Sequence, residues 1–414
     1  VGSGHSIVVV GAGAIGLSCA WALAADGHDV TLVEARTVGA GASRGNTGWF
    51  TPSLSTPLAA PGMAVAGLRS AFDPRGALVI RPRADVEWLR WLARFTVNGR
   101  TPKFNRGVAA LLGLSRRTLD GLDAMRTAGV EFEMHSDGLL AVARSEAGLH
   151  WFDRTFAELA KQGFAGDPKR LSGDEARAIE PGLSDRVSAA ILSDVDRHVD
   201  PASFLGGLRV AIERQGVSVL EGRPVRSVKP AGVGWRVDAD GHRIEAEQVV
   251  LAAALGTPAL VGPLGLRLAL IGAKGYSADV TSGPSLRRIL YLCEAKIGVS
   301  PMDRFTRVAG FFEIGATSAR PERRRALQLL EETASYVRDF PTALDADDDG
   351  WAGLRPSTPD SLPYIGEHPR RRGLIVATGH GMLGISLAPA TAIGVCDLVR
   401  GRRPGWLEPF RLDR

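Results

Sequence analysis

The chain has 414 residues, 45% hydrophobic and 23% charged, and a net charge of +5 from 50 lysines and arginines against 45 acidic residues. That length is too great for one hydrophobic core and provides for two sizeable domains. The charge is scattered, without the basic stripe and interleaved aromatics of a nucleic-acid surface, and Cys19, Cys293 and Cys396 lie too far apart for a cysteine-rich metal site.

The cysteine usage fits a reducing, cytoplasmic setting. No run of eighteen apolar residues occurs, because Pro258, Pro263 and Arg267 break the longest candidate. Arg323-Arg324-Arg325 and Arg370-Arg371-Arg372 read as solvated faces, or as weak peripheral contacts with the anionic inner face of a membrane. Residues 1–6 are too short and polar for a signal peptide.

Ile7-Val8-Val9-Val10 reads as a buried parallel strand. Gly11-Ala12-Gly13-Ala14-Ile15-Gly16 then forms a tight turn into a helix over 15–25, and Asp29 to Glu34 supplies the returning strand. Strand, glycine turn, helix, strand and terminal acid together make a dinucleotide-binding unit. Gly11 permits the turn, Gly13 lets the backbone approach a pyrophosphate, and Gly16 lets the helix pack against the strand. The helix N-terminus offers free N–H groups and partial positive charge, and Glu34 is placed to accept from an adenosine ribose.

Residues 39–48 carry almost no side-chain bulk, which suits backbone lying against a flat ligand. Residues 51–85 are irregular and rich in Pro and Gly, a departure into a second domain. Helical spacing marks 87–95 and 106–127, with Leu111, Leu114, Thr118, Leu122 and Met125 on one face. Residues 130–143 read as strands joined in a hairpin at Ser136-Asp137-Gly138. A helix over 146–162 follows, then a capped helix start at Leu171-Ser172-Gly173-Asp174-Glu175.

Asp200 is an N-cap, Pro201 suits the first helical position, and Gly216 ends that helix. A strand over 217–220 precedes three β runs, 225–229, 235–239 and 242–253. The end of the last run is apolar on both faces, as in a parallel sheet. It leads into the small-residue turn Ala254-Leu255-Gly256, at the end of the strand where open α/β sheets bind ligands. Strands near 274–280 and 307–315, a helix over 322–339, a buried strand over 374–378 and an apolar helix over 385–400 complete the chain. The expected fold is α/β: a Rossmann-type nucleotide domain of discontinuous segments (1–50, 86–128, 187–262, 350–414). An inserted α+β domain with a mixed or antiparallel sheet takes 51–85, 129–186 and 263–349.

Five stretches in this order resemble the flavin-dependent amino-acid and amine oxidoreductases that include D-amino-acid oxidase, glycine oxidase and the D-amino-acid dehydrogenase small subunit. They are the opening fingerprint, Ala42-Ser43-Arg44-Gly45-Asn46-Thr47-Gly48, His198-Val199-Asp200-Pro201, Lys274-Gly275-Tyr276-Ser277, and Trp351 to Asp360 continuing to Pro363-Tyr364-Ile365-Gly366. Gly379-His380-Gly381 with Leu387-Ala388-Pro389-Ala390-Thr391 completes the likeness. The resemblance implies FAD, held noncovalently because the flavin-tethering cysteine of sarcosine-oxidase relatives is missing near Leu354. The residues implied at FAD are Gly11, Gly13, Ala14, Ile15, Gly16, Glu34, Ala35, Arg36, Ala42, Ser43, Asn46, Thr47, Gly48, Val225, Ala253, Gly256, Gly381, Met382, Leu383, Gly384 and Ile385.

The same resemblance places Arg355 at the substrate carboxylate, where a planar guanidinium can make two parallel hydrogen bonds. Tyr276 is a further candidate at the carboxylate, or else a half-buried strand aromatic. His380 is a candidate base, although its Gly-rich loop fits a structural role better, and His198 reads as a turn residue. The N–H groups of Met382 to Ile385, opening the last helix, would face negative charge on the flavin. The implied reaction is oxidative deamination of a D-amino acid, or of a related secondary amine or imino acid, with oxygen or a quinone or other electron-transfer acceptor. Oligomerisation stays open.

Two departures matter. The pocket aromatic of the glycine-oxidase branch is missing at Ile297-Gly298-Val299-Ser300-Pro301, and Gly381-Met382-Leu383 replaces its arginine after the terminal Gly-His. Both weaken glycine as the substrate and favour the dehydrogenase-like branch with a larger or more apolar pocket. A 2-hydroxy-acid dehydrogenase would also want Arg355, whereas a pyridine-nucleotide reductase would need a second G-x-G-x-x-G, which is absent. The remaining alternative is a noncatalytic nucleotide-binding protein.

Overall fold

The Ile7-Val8-Val9-Val10 run is buried on both sides, as a strand inside a parallel sheet must be. Ile7 and Val9 enter one core with the helices Ala14–Ala25, Pro201–Arg214 and Ala388–Val399. Val8 and Val10 enter another with the antiparallel strands Val225–Ala231, Gly234–Ala239 and His242–Ala246. The computed structural model describes residues 4–63 and 76–414. Residues 1–3 of the leading segment and 64–75 of the Pro- and Gly-rich stretch lie outside the described residues.

The nucleotide-type sheet runs Ser218–Leu220, Asp29–Val33, Ser6–Val10, Gln248–Leu251, Leu374–Thr378, Tyr364–Glu367. The first five strands are parallel and the last is antiparallel. Asp29–Val33 and Gln248–Leu251 flank Ser6–Val10, so the chain departs to opposite sides of its first strand. That switch point opens a crevice at the strands' carboxyl ends.

A larger mixed sheet carries, in order, Trp351–Ser357, Ile271–Val280, Thr306–Ile314, Ile297–Pro301, Ile289–Leu292, Leu139–Ala143, Ala189–Ser193 and Lys169–Ser172, with Leu78–Ile80 beside Thr306–Ile314. The sequence-based division at 187 and 350 cuts across this sheet, since Ala189–Ser193 and Trp351–Ser357 both hydrogen-bond into it. Helix Val86–Asn98 also lays Trp88, Trp91 and Phe95 against Ala273, Phe312 and Ile314 of the same sheet. Helix Thr101–Thr127 bridges the two units, with Leu111 and Leu122 in one core and Val108 and Leu112 in another.

Several local expectations are corrected. Residues 136–138 do not close a hairpin: Met134–His135 pairs with Arg197–Val199, while Leu139–Ala143 pairs with Ala189–Ser193 and Ile289–Leu292. Leu139–Ala143 is buried at every position, the mark of a central strand rather than an alternating edge. The 242–253 run divides at exposed Glu247 into an antiparallel strand, His242–Ala246, and a parallel one, Gln248–Leu251. The hairpin Ile289–Leu292 and Ile297–Pro301 was not anticipated. The 322–339 helix spans Arg323–Ala334, and the last helix begins at Ala388, with Pro389 in its first turn, rather than at Ile385.

Candidate active site

A cleft of about 830 Å³ opens at the carboxyl ends of the parallel strands, large within the usual ~300–1,000 Å³ for small-molecule sites. Its floor is formed by Gly11, Glu34, Ala252 to Ala254 and Ala377 to Gly379, each at or just past a strand end. The loop Ala40 to Ser43 with Asn46, and the strand segment Trp351 to Pro356, form its walls.

The turn at the floor is tight for physical reasons. Gly11 has φ +102°, and a Cβ there would come within 2.6 Å of the Ala252 carbonyl oxygen. A Cβ on Gly16 would sit 1.7 Å from the Gly11 carbonyl oxygen, so the helix can approach only because Gly16 has no side chain. Ser43 Oγ accepts the Ala14 N–H at 3.1 Å, supplying the side-chain cap that Gly13 cannot. The Glu34 carboxylate accepts from Ala12 N–H at 2.7 Å and Arg36 N–H at 3.0 Å, which fixes it at the rim. Gly41 and Gly381 also line the cleft, and a Cβ on either would meet no protein atom within 4 Å. Glycine turn, helix N-terminus, rim carboxylate and bulk-free wall fit a dinucleotide, with open space along its course. No cysteine lines the cleft, and all three cysteines are buried elsewhere.

Of the expected FAD-side residues, Gly11, Gly13, Ala14, Ile15, Glu34, Ala35, Arg36, Ala42, Ser43, Asn46, Val225, Ala253, Gly256, Gly381, Gly384 and Ile385 line this cleft. Gly16 lies beneath it as a packing glycine. Gly48 packs on the neighbouring strand, where a Cβ would be 1.9 Å from the Val199 carbonyl oxygen, and the Thr47 carbonyl accepts from Ser300 Oγ. Met382 and Leu383 line a small adjoining cavity with Trp91, Phe95 and Phe312. Met382 to Ile385 do not open the last helix: they form a short 3₁₀ turn and its exit, and Leu383 N–H donates to the His380 carbonyl at 2.9 Å. Of these four N–H groups only that of Leu383 is bonded to a backbone acceptor among the described residues.

Arg355 reaches the cleft from strand Trp351–Ser357. Its guanidinium lies across Gly275 of the neighbouring strand, where a Cβ would sit 2.0 Å from Nη1. Nη1 donates to the Phe311 carbonyl at 3.4 Å, and the Phe312 ring lies 5.5 Å from the guanidinium carbon. A bulge presents both groups: Lys274 pairs with Glu313 and Tyr276 with Gly310, leaving Phe311 and Phe312 opposite Gly275, with Phe311 at φ +58°. Desolvation pulls the Arg355 pKa down to about 10, so the group remains cationic at neutral pH. No carboxylate pairs with it among the described residues, which leaves a cation facing the cleft with its counter-charge unfilled.

Tyr276 is not beside it. Ala273 pairs with Arg355 and Tyr276 with Ala352, so strand alternation puts Arg355 and Tyr276 on opposite faces of the sheet. The Tyr276 hydroxyl donates to Glu313 at 3.1 Å and Glu322 at 2.9 Å, next to Lys274. Burial and those carboxylates push its phenol well above the ordinary range. His380 does line the cleft, but Nε2 hydrogen-bonds Thr391 Oγ1 at 3.0 Å and burial lowers its pKa to about 3. It is a neutral tie between loop and helix. His198 is a strand residue stacked on His135 and bonded to the Pro301 carbonyl, rather than a turn residue.

Comparison with known proteins agrees with this geometry. The family model described as DAO, FAD dependent oxidoreductase, matches residues 6–398. A D-amino acid dehydrogenase of Cereibacter sphaeroides is 34% identical over 96% of this chain and 92% of its own length. D-amino acid dehydrogenase 2 of Ralstonia nicotianae is also 34% identical, over 99% of this chain and all of its own. Glycine oxidase from Geobacillus kaustophilus superposes with a TM-score of 0.75 over 99% of both chains at 23% identity, a likeness of fold.

Proposed function

The chain belongs to the DAO family of FAD-dependent oxidoreductases, and on that premise we propose that it oxidises the Cα–N bond of a free amino acid, of D configuration. The observation that carries this reading is Arg355: a cation in a cleft wall, resting on a carbonyl and an aromatic face, with no carboxylate partner among the described residues. A substrate carboxylate completes that arrangement through two parallel charge-assisted hydrogen bonds. The named D-amino acid dehydrogenase relatives support the substrate class.

FAD, bound noncovalently, supplies the two-electron acceptor. The protein's own part is chiefly positioning. The glycine turn, Ser43 and Glu34 hold the adenosine diphosphate end, and Arg355 holds the substrate carboxylate so that the rest of the molecule has one orientation. The substrate loses a hydride from Cα and a proton from nitrogen, and water converts the resulting imino acid to a 2-oxo acid and ammonia. Among the described residues lining the cleft, no side chain is suited to take the proton. His380 is neutral and bonded to Thr391, and Glu34, the one carboxylate among the lining residues, is committed to Ala12 and Arg36. The amino group therefore has to arrive already deprotonated.

Because the curated relatives are named dehydrogenases, an electron carrier such as a quinone is the acceptor we favour over oxygen. Among the described residues no helix is long and apolar enough to cross a membrane. A membrane quinone would be reached peripherally, and the exposed Arg370-Arg371-Arg372 turn offers a basic contact.

Anaerobic mixing with D-amino acids, their L enantiomers, N-methyl amino acids and 2-hydroxy acids, followed at the flavin band, tests the reading. D-amino acids should bleach the band, and Arg355→Leu should keep bound FAD while slowing bleaching ~100-fold or more. Unchanged bleaching in Arg355→Leu, or bleaching by 2-hydroxy acids alone, would overturn it.

A further inference from the structure

The large sheet reaches the cofactor side of the cleft through a residue that no motif above includes, Arg307. Arg307 is buried on strand Thr306–Ile314, directly opposite Asp279 of Ile271–Val280. Asp279 lies an even number of residues from Gly275 on that strand, so alternation puts the pair on the Arg355 face. Arg307 Nε and Nη2 each donate to the Asp279 carboxylate at 2.7 Å. Nη1 donates to the Arg44 carbonyl at 2.8 Å and the Asn46 carbonyl at 3.0 Å. Next to it, Ser300 Oγ donates to the Thr47 carbonyl at 2.8 Å while accepting Trp49 Nε1–H at 2.7 Å. The Trp351 ring fills the space in which a Gly45 Cβ would stand, at 2.1 Å.

Three loop carbonyls are thus drawn toward the large sheet. A trans peptide is planar, so its N–H points opposite to its carbonyl. Turning the Arg44 and Asn46 carbonyls toward Arg307 turns the Gly45 and Thr47 N–H groups away from it, and neither donates to an acceptor among the described residues. The same loop contributes Ser43 to the helix cap and Asn46, whose side chain bonds the Met382 carbonyl, to the cleft lining.

We infer that Arg307, held by Asp279, is a positioning residue for FAD: it sets the peptide orientations of the 44–47 loop and so the placing of Ser43 and Asn46, which line the cofactor cleft. Four guanidinium N–H groups are used in fixed directions, two on a carboxylate and two on carbonyls. Lysine cannot copy that, because its donors radiate from a single atom. Asp279 fixes the plane and offsets the desolvation of the cation.

The test is titration of deflavinated protein with FAD, read by flavin fluorescence and by the shape of the bound visible band, together with the melting temperature of the apoprotein. Arg307→Met should raise the FAD Kd at least tenfold and alter the band shape. Arg307→Lys should recover less than half of that loss on a logarithmic scale, and Asp279→Asn and Ser300→Ala should each raise Kd threefold or more. Arg170→Met, which removes a surface pair with Asp153 away from the cleft, serves as control and should leave Kd unchanged. A brace with no role toward FAD would lower the apoprotein melting temperature in Arg307→Met and leave Kd within twofold of wild type; that result overturns the inference. Full rescue by Arg307→Lys overturns it as well. If Arg307→Met does not fold, Asp279→Asn and Ser300→Ala decide, and unchanged Kd in both counts against it.

Discussion

The role proposed for Arg355 depends on neighbours that are small or neutral. Gly275 leaves room for the guanidinium, the Phe311 carbonyl and Phe312 ring steady it, and no acid among the described residues pairs with it. Gly275→Ala should therefore raise KM with little change in FAD content, since its Cβ would collide with Nη1; FAD loss in parallel with KM would refute this account. His380 gives a second residue-level expectation. With its pKa near 3, it carries no charge change between pH 5 and 9, so the pH dependence of kcat/KM should follow the substrate amino group. Activity should rise with pH toward the amine's own pKa, and His380→Asn should leave that profile's shape in place. An enzyme-borne titration near pH 6.5, lost in His380→Asn, would restore the histidine as a base.

At the level of elements, caps were the most readable features. Ser172 and Glu175 form the reciprocal capping box that their spacing suggests. Asp200 accepts from both Ala202 and Ser203 N–H groups at the start of Pro201–Arg214. Asp200→Ala should lower unfolding free energy by about 1 kcal/mol in denaturant titration. These signals are local, involving groups within three residues of each other, so a linear reading finds them. The opening fingerprint is legible for the same reason. The two readings of Tyr276, at the carboxylate or as a strand aromatic, stay open in the sequence because its face depends on register with Trp351–Ser357, a long-range property. The Phe311 bulge left no trace either, since phenylalanine is not a residue that announces a left-handed backbone. Arg307 was invisible as a site residue because its partners Asp279, Arg44 and Asn46 are close only after two sheets have met.

Across the whole molecule, elements are tied by buried polar joints as well as by cores. Asp196, in the connection from Ala189–Ser193 to Arg197–Val199, is fully buried and receives Ser53 Oγ–H at 2.5 Å and Ser53 N–H at 3.3 Å. Burial raises its pKa to about 6. A carboxyl that binds its proton more tightly in the folded state than in the unfolded one stabilises the fold below the unfolded value. That contribution fades as pH rises from about 4 through 6. Its size is on the order of 2–3 kcal/mol. Asp196→Asn should abolish this segment of the pH dependence, which urea unfolding at pH 4, 5, 6 and 7 would show; an unchanged slope would mean that other groups govern it. The cleft also has a consequence for how the protein is made. Its floor joins the ends of Ser6–Val10, Asp29–Val33, Gln248–Leu251 and Leu374–Thr378. At ~5–20 residues per second, a ribosome takes ~20–70 s to travel from Val10 to Leu374. Throughout that interval at least one of these four strand ends is still untranslated. The complete cradle for the flavin therefore forms only after the Leu374–Thr378 strand has been made.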